Sequence, residues 1–171
     1  MTRRPADVAA GGAADELGDR LAAAWTPGGT TGDDRPPDPH RGPGVVGLGI
    51  DAVDLDRFRT VLGRRPRLAR RIFTEDELAY ARGAPDPVPR LATRFATKEA
   101  VLKALGLGLG AFPFRDVEVV RTGLDAPTVV LSGAADRAAR AAGATRWHLS
   151  LTHSDLVAVA AVVASGARTD R

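Results

Sequence analysis

The chain has 171 residues, 44% of them hydrophobic, with 24 basic side chains, 21 acidic ones and no cysteine. That length suits one domain plus a tail, and the missing cysteine excludes disulfides, thiolate catalysis and Cys-ligated zinc while fitting a reducing compartment. No apolar run reaches the ~18 residues of a membrane helix, and no apolar core follows Arg3 and Arg4 as a secretory signal would require, so the expected location is cytoplasmic.

The charge is uneven. Residues 1–44 hold five Arg and seven acids; residues 45–171 hold 17 Arg, two Lys and 14 acids. The part expected to fold is therefore the basic part, which points to an anionic ligand or an acidic protein partner.

In chain order, Ala13 to Trp25 reads as an amphipathic helix. Residues 28–44 have nine Gly or Pro in 17 and read as a linker. Residues 1–44 are expected to be a disordered or loosely ordered tail, with His40 solvated. The domain is expected over 45–167.

Val45 to Asp51 predicts a strand, with Val46, Leu48 and Ile50 on one face and Gly47, Gly49 and Asp51 on the other. Glycine in a strand marks a close approach by a backbone, a helix or a ligand. Asp51, on the bare face, suits either a helix cap or a cation ligand. Residues 54–72 predict one helix with a stripe of Leu55, Phe58, Val61 and Leu62. From Arg57 to Arg71 there are seven Arg and no acid. Such a run is either a solvated face or a surface for an acidic partner. Only Phe58 is interleaved, which argues against base stacking on a nucleic acid.

Thr74 and Glu77 have the spacing of a capping box for a helix to about Ala81. Ala84 to Pro89 predicts a loop. A central helix follows from about Arg90 to Leu105 and stops at Gly106-Leu107-Gly108-Leu109-Gly110. Glycines there either end the helix or free backbone N–H groups for a ligand. Val117–Arg121 and Thr128–Leu131 read as paired strands around a Gly123–Pro127 turn. Gly133–Ala142 reads as a helix, and Arg146–Thr152 as an alternating strand. His153-Ser154-Asp155 reads as a tight turn and Val157–Ala164 as a buried strand. The order favours an α+β fold with an antiparallel sheet.

The central helix carries the most information. On a helical wheel Leu91, Phe95, Leu102 and Leu105 form an apolar stripe with Lys98 in its middle. Thr93, Thr97, Ala100 and Ala104 on the other side allow close packing. A covered lysine must find an anion or lose its proton. The two lysines of the chain, Lys98 and Lys103, are both here, in a chain with 22 Arg, either by codon bias or because a compact ammonium is needed. Glu99 and Lys103 at i,i+4 have the spacing of an ordinary surface pair.

Four stretches resemble the 4′-phosphopantetheinyl transferases of the short, trimeric holo-[acyl-carrier-protein] synthase type. They are Gly47-Leu48-Gly49-Ile50-Asp51-Ala52-Val53-Asp54-Leu55, Ile72-Phe73-Thr74-Glu75-Asp76-Glu77, Arg94 through Ala104, and Leu149-Ser150-Leu151-Thr152-His153. The likeness covers about residues 45–164. It implies transfer of the phosphopantetheine arm of coenzyme A to a serine of an apo acyl carrier protein, with release of adenosine 3′,5′-bisphosphate and a need for magnesium. It implies Asp51 and Glu99 as magnesium ligands, Glu99 or a water it orients as base, and Lys103 beside the transferred phosphate. Arg94, Lys98 and His153 would surround the nucleotide's phosphates. Gly106, Leu107 and Gly108 would cradle the nucleotide through their backbone, although Leu107 stands where the family often has Thr. Arg57, Arg67 and Arg71 lie where the family's carrier-docking arginines lie. A homotrimer with sites at subunit interfaces is implied, and no membrane partner. The competing expectation is a basic binding module without chemistry.

Overall fold

The computed structural model describes residues 44–121 and 126–166. The expected Ala13–Trp25 helix, His40, residues 28–43 of the linker and most of the Gly123–Pro127 turn lie outside the described residues. Strand β1 spans Val45–Asp54 and runs three residues past the predicted end. Asp54, not Asp51, is the helix cap: its carboxylate accepts from the N–H of Arg57 at 2.8 Å.

The predicted 54–72 helix is two helices, α1 (Leu55–Arg64) and α2 (Pro66–Ile72). Arg65 sits between them at φ −135°, ψ 73°. The ring of Pro66 explains the break, because a residue before proline is driven out of the helical region. Helix α3 (Glu75–Arg82) has the expected capping box, with both reciprocal bonds between Thr74 and Glu77. Helix α4 (Val88–Ala104) starts inside the predicted loop. Pro89 is tolerated there, since a first-turn N–H has no helical partner to lose.

A 3₁₀ turn at Phe114–Asp116 leads into the antiparallel pair β2 (Val117–Val120) and β3 (Thr128–Leu131). Helix α5 (Gly133–Ala141), β4 (Arg146–His153) and β5 (Val157–Ser165) complete the chain. The main sheet is antiparallel in the order β1-β5-β4. No described helix is long and apolar enough to cross a membrane.

Helix α4 lies on one face of this sheet, and small residues bring it close. A Cβ on Gly47 would stand 1.9 Å from the carbonyl oxygen of Ala104, and one on Gly49 1.9 Å from that of Ala100. Ala158, Ala160, Val162 and Ala164 of β5 are fully buried beneath the same helix. Only these alternate residues of β5 are buried, so the strand is one-sided rather than covered throughout. On the outer face Leu48 and Ile50 are 52% and 54% exposed, and Val157, Val159 and Val163 are half-buried.

Candidate active site

The glycine face of β1 ends in Asp51. Glycines at 47 and 49 let α4 settle onto the strand, so the next residue on that face meets the middle of the helix. Asp51 and Glu99 consequently line one cleft of about 470 Å³, together with Arg57, Phe58, Val61 and Phe95. Partial burial raises the Glu99 carboxyl above its ordinary pKa. The charge of Asp51 raises it further, and Lys103 opposes both. Two like charges in a half-buried cleft are relieved by a cation.

Lys103 lies one helical turn beyond Glu99 but pairs with the strand. Its ammonium donates to the Asp51 carboxylate at 2.7 Å and to the Ile50 carbonyl at 3.0 Å. The expected Glu99–Lys103 surface pair is replaced by this bridge from helix to strand. Asp51, Glu99 and Lys103 thus come together as one group. Among the described residues no cluster of three or more His, Cys, Asp or Glu forms, so a metal here would take two carboxylates and fill its other positions elsewhere. Magnesium suits such a site, because it binds one or two carboxylates, keeps several waters and takes substrate phosphate oxygens.

A second cavity of about 630 Å³ lies toward the start of α4. Arg94 and His153 line it, with Tyr80, Arg90 and Arg121. Tyr80 supports both arginines: the guanidinium carbons of Arg94 and Arg90 lie 4.1 and 4.5 Å from its ring centre. Burial pushes the Tyr80 phenol up. The Arg121 hydrogen bond and the charges of Arg90 and Arg94 outweigh it and leave the group below its usual value. Arg94 is 4% exposed, and its Nε has no hydrogen-bond partner among the described residues. Arg90, Arg94 and Arg121 together suit this cavity to an anion. Tyr80, Arg90 and Arg121 were not read from the sequence. The one clue available was that Tyr80 is the only tyrosine of the chain.

Lys98 does not join this cluster, contrary to expectation. Its side chain is 0% exposed and its ammonium pairs with Glu77 at 2.8 Å. The same ammonium donates to the carbonyls of Phe114 and Val117. All three of its protons are thereby used, and none is left for a ligand. Burial lowers the pKa of Lys98, and the Glu77 charge opposes that shift. The need for an anion follows from the wheel, but its source, 21 positions away, does not.

The glycine loop follows the helix-ending alternative. The N–H of Leu107 donates to the Leu102 carbonyl at 2.9 Å and that of Gly106 to Lys103 at 3.0 Å. With Gly106 at φ +68° this closes the helix in the Schellman manner. Two of the three N–H groups expected at a nucleotide are therefore spent on the cap. Gly108 and Leu107 are exposed at the surface. Arg57, Arg67 and Arg71 are exposed on α1 and α2, and Arg57 reaches the rim of the acid-lined cleft.

Residues 47–161 match the family described as the 4′-phosphopantetheinyl transferase superfamily. The chain belongs to that superfamily. A holo-[acyl-carrier-protein] synthase of Frankia casuarinae is 48% identical over 120 residues, covering 70% of this chain and 97% of the relative. The superfamily fold is equally plain in solved structures. The holo-[acyl-carrier-protein] synthase of Neisseria meningitidis superposes with a TM-score of 0.64 at 34% identity, over 70% of this chain and 98% of the other. That of Bacillus anthracis, in complex with CoA (3′,5′-ADP), gives 0.61 at 34% identity, over 72% and 99%. The α+β architecture drawn from the sequence is thus the superfamily's.

Proposed function

We propose that this transferase moves the 4′-phosphopantetheine group of coenzyme A onto a serine of an apo acyl carrier protein and releases adenosine 3′,5′-bisphosphate. The observation that carries the reading is the meeting of Asp51 and Glu99 at one cleft, with Lys103 bridged to Asp51 at 2.7 Å and the Arg57 end of a basic helix at the rim. Relatives named holo-[acyl-carrier-protein] synthase, one of them in complex with CoA (3′,5′-ADP), support the substrate class.

In this scheme the serine hydroxyl oxygen attacks the diphosphate phosphorus that carries the pantetheine arm. The bond to the bridging oxygen breaks, and the nucleotide departs with that oxygen. Glu99, or a water it orients, takes the serine proton. Lys103 is close enough to the acids to steady the negative charge on the transferred phosphoryl group. Asp51 and Glu99 would hold magnesium, which supplies a Lewis acid for the diphosphate. Arg90, Arg94, Arg121 and His153 offer an anion site for the nucleotide end. Gly108 and the exposed side of the loop remain available to the nucleotide; Lys98 does not. Arg57, Arg67 and Arg71 are docking residues for the acidic carrier. A homotrimer fits the uncovered apolar face of the sheet, and a cytoplasmic location fits the lack of cysteine.

Incubation of the purified chain with coenzyme A, magnesium and a panel of apo carriers tests this, read as the mass gain of one phosphopantetheine group. Transfer is expected, abolished by EDTA and restored by magnesium. Glu99→Gln should lose transfer about 10²–10⁴-fold while still binding the carrier. No mass gain on any carrier overturns the proposal and leaves a basic binding module.

A further inference from the structure

The Glu77–Lys98 pair takes no part in the chemistry above, and a contribution to stability does not account for it. Both side chains are 0% exposed. Desolvating two ions offsets most of their attraction, and an apolar pair of equal volume often serves stability as well or better. The partners suggest another role. Lys98 on α4 binds Glu77 on α3, the Phe114 carbonyl in the 3₁₀ turn and the Val117 carbonyl on β2. Glu77 accepts in turn from the N–H of Thr74 at 3.1 Å and of Val119 at 3.0 Å. One position of α4 is thus tied to three other elements at once.

The opposite side of α4 explains why such a tie matters. There the helix rests on Gly47, Gly49, Ala158, Ala160, Val162 and Ala164. Five of these six are Gly or Ala, which permit close approach but, with one valine among them, give little to interlock, so this face holds rotation about the helix axis only weakly. Glu99 is the next residue after Lys98. A roll of about 10° carries a carboxylate ~6 Å from the axis by ~1 Å. A misplacement of about 1 Å can cost roughly 10²-fold in rate.

Given the transferase reading of the cleft, we propose that the Glu77–Lys98 pair sets the roll of α4 and thereby the gap between Glu99 and Asp51. Glu77 and Lys98 are positioning residues: they touch no substrate and act through Glu99.

Two variants of the full chain test this. Glu77→Gln combined with Lys98→Met removes both charges and leaves no unpaired ion. Glu77→Asp keeps the charge and shortens the arm by one methylene. Each is measured for melting temperature, for kcat and KM of transfer, and for manganese binding by electron paramagnetic resonance with coenzyme A present. The double variant should fold but melt several degrees or more below wild type, because Lys98→Met also leaves the Phe114 and Val117 carbonyls without a donor, with KM for coenzyme A unchanged. Its kcat should fall about tenfold or more, and manganese affinity should weaken about tenfold, as when the outer supports of a ligand are lost. Glu77→Asp should move kcat and manganese affinity in the same direction by a smaller factor. If either variant folds and keeps wild-type kcat and manganese affinity, the pair is structural only and the proposal is wrong. A wild-type chain that neither transfers nor binds manganese overturns the transferase reading itself, and the positioning role with it.

Discussion

Glu99 is set against its own stability. Burial and the Asp51 charge raise its pKa, so the folded chain holds this proton more readily than the unfolded chain. The stability that the protonated form contributes is complete below the unfolded value near 4.5 and is lost as pH rises through the raised folded value. Without metal, Glu99→Gln should therefore melt higher than wild type at neutral pH, with the gap closing toward pH 4. Calorimetry in EDTA across that range checks this, and magnesium should narrow the neutral-pH gap by stabilising only the wild type. A variant that melts lower than wild type at pH 8 in EDTA would refute the account. At this scale the sequence was partly legible. The bare face of β1 announced Asp51, and the apolar surroundings of Lys98 announced a buried ion. Tyr80, Arg90 and Arg121 were not legible, because side chains from two helices and the loop after β2 meet only after folding.

At the scale of elements, the contact between β1 and α4 decides where the acids meet. Gly49→Ala would place a methyl group 1.9 Å from the Ala100 carbonyl oxygen, against backbone that cannot turn aside. It should cost ~3 kcal/mol or more, at or beyond the upper end for overpacking, measured by denaturant unfolding. Residual folded protein should lose transfer as well, because α4 must lift away from Asp51. Element boundaries were readable where a local signal governs them, as in the Thr74–Glu77 box. The break at Arg65 is equally local, since Pro66 alone dictates it, but the apolar stripe of Leu55, Phe58, Val61 and Leu62 masks it. The extension of β1 to Asp54 came instead from pairing: Ala52, Val53 and Asp54 lie opposite Val159, Ala158 and Val157. No property of the first strand alone foretells that partner.

At the scale of the whole molecule, two surfaces bear on the proposed partners. The first is basic. Of the seven arginines between 57 and 71, Arg59 is bridged to Asp86 at 2.8 Å, whereas Arg57, Arg67 and Arg71 have no ion-pair partner among the described residues. Replacing any of these three by Ala should raise KM for the carrier several-fold with little change in kcat. The wild-type KM should rise with salt as steering is screened. The second is the outer face of the sheet, where Leu48 and Ile50 are exposed. Leu48→Glu should leave the single chain folded but reduce its native mass from that of an oligomer, seen by light scattering. A wild-type chain already monomeric at micromolar concentration would remove the proposed homotrimer. The apolar side of β1 was evident in the alternation; that Leu48 and Ile50 stay exposed among the described residues was not, because coverage is a property of the assembled fold.

Between Gly49 and Ala100 the main chains themselves touch. The distance from the helix axis to the strand is consequently measured out by peptide units rather than by rotamers, whereas the roll of the helix about that axis is not. An engineer seeking room for bulkier coenzyme A analogues should carve the far wall, at Phe58 or Val61, and leave the seam uncut.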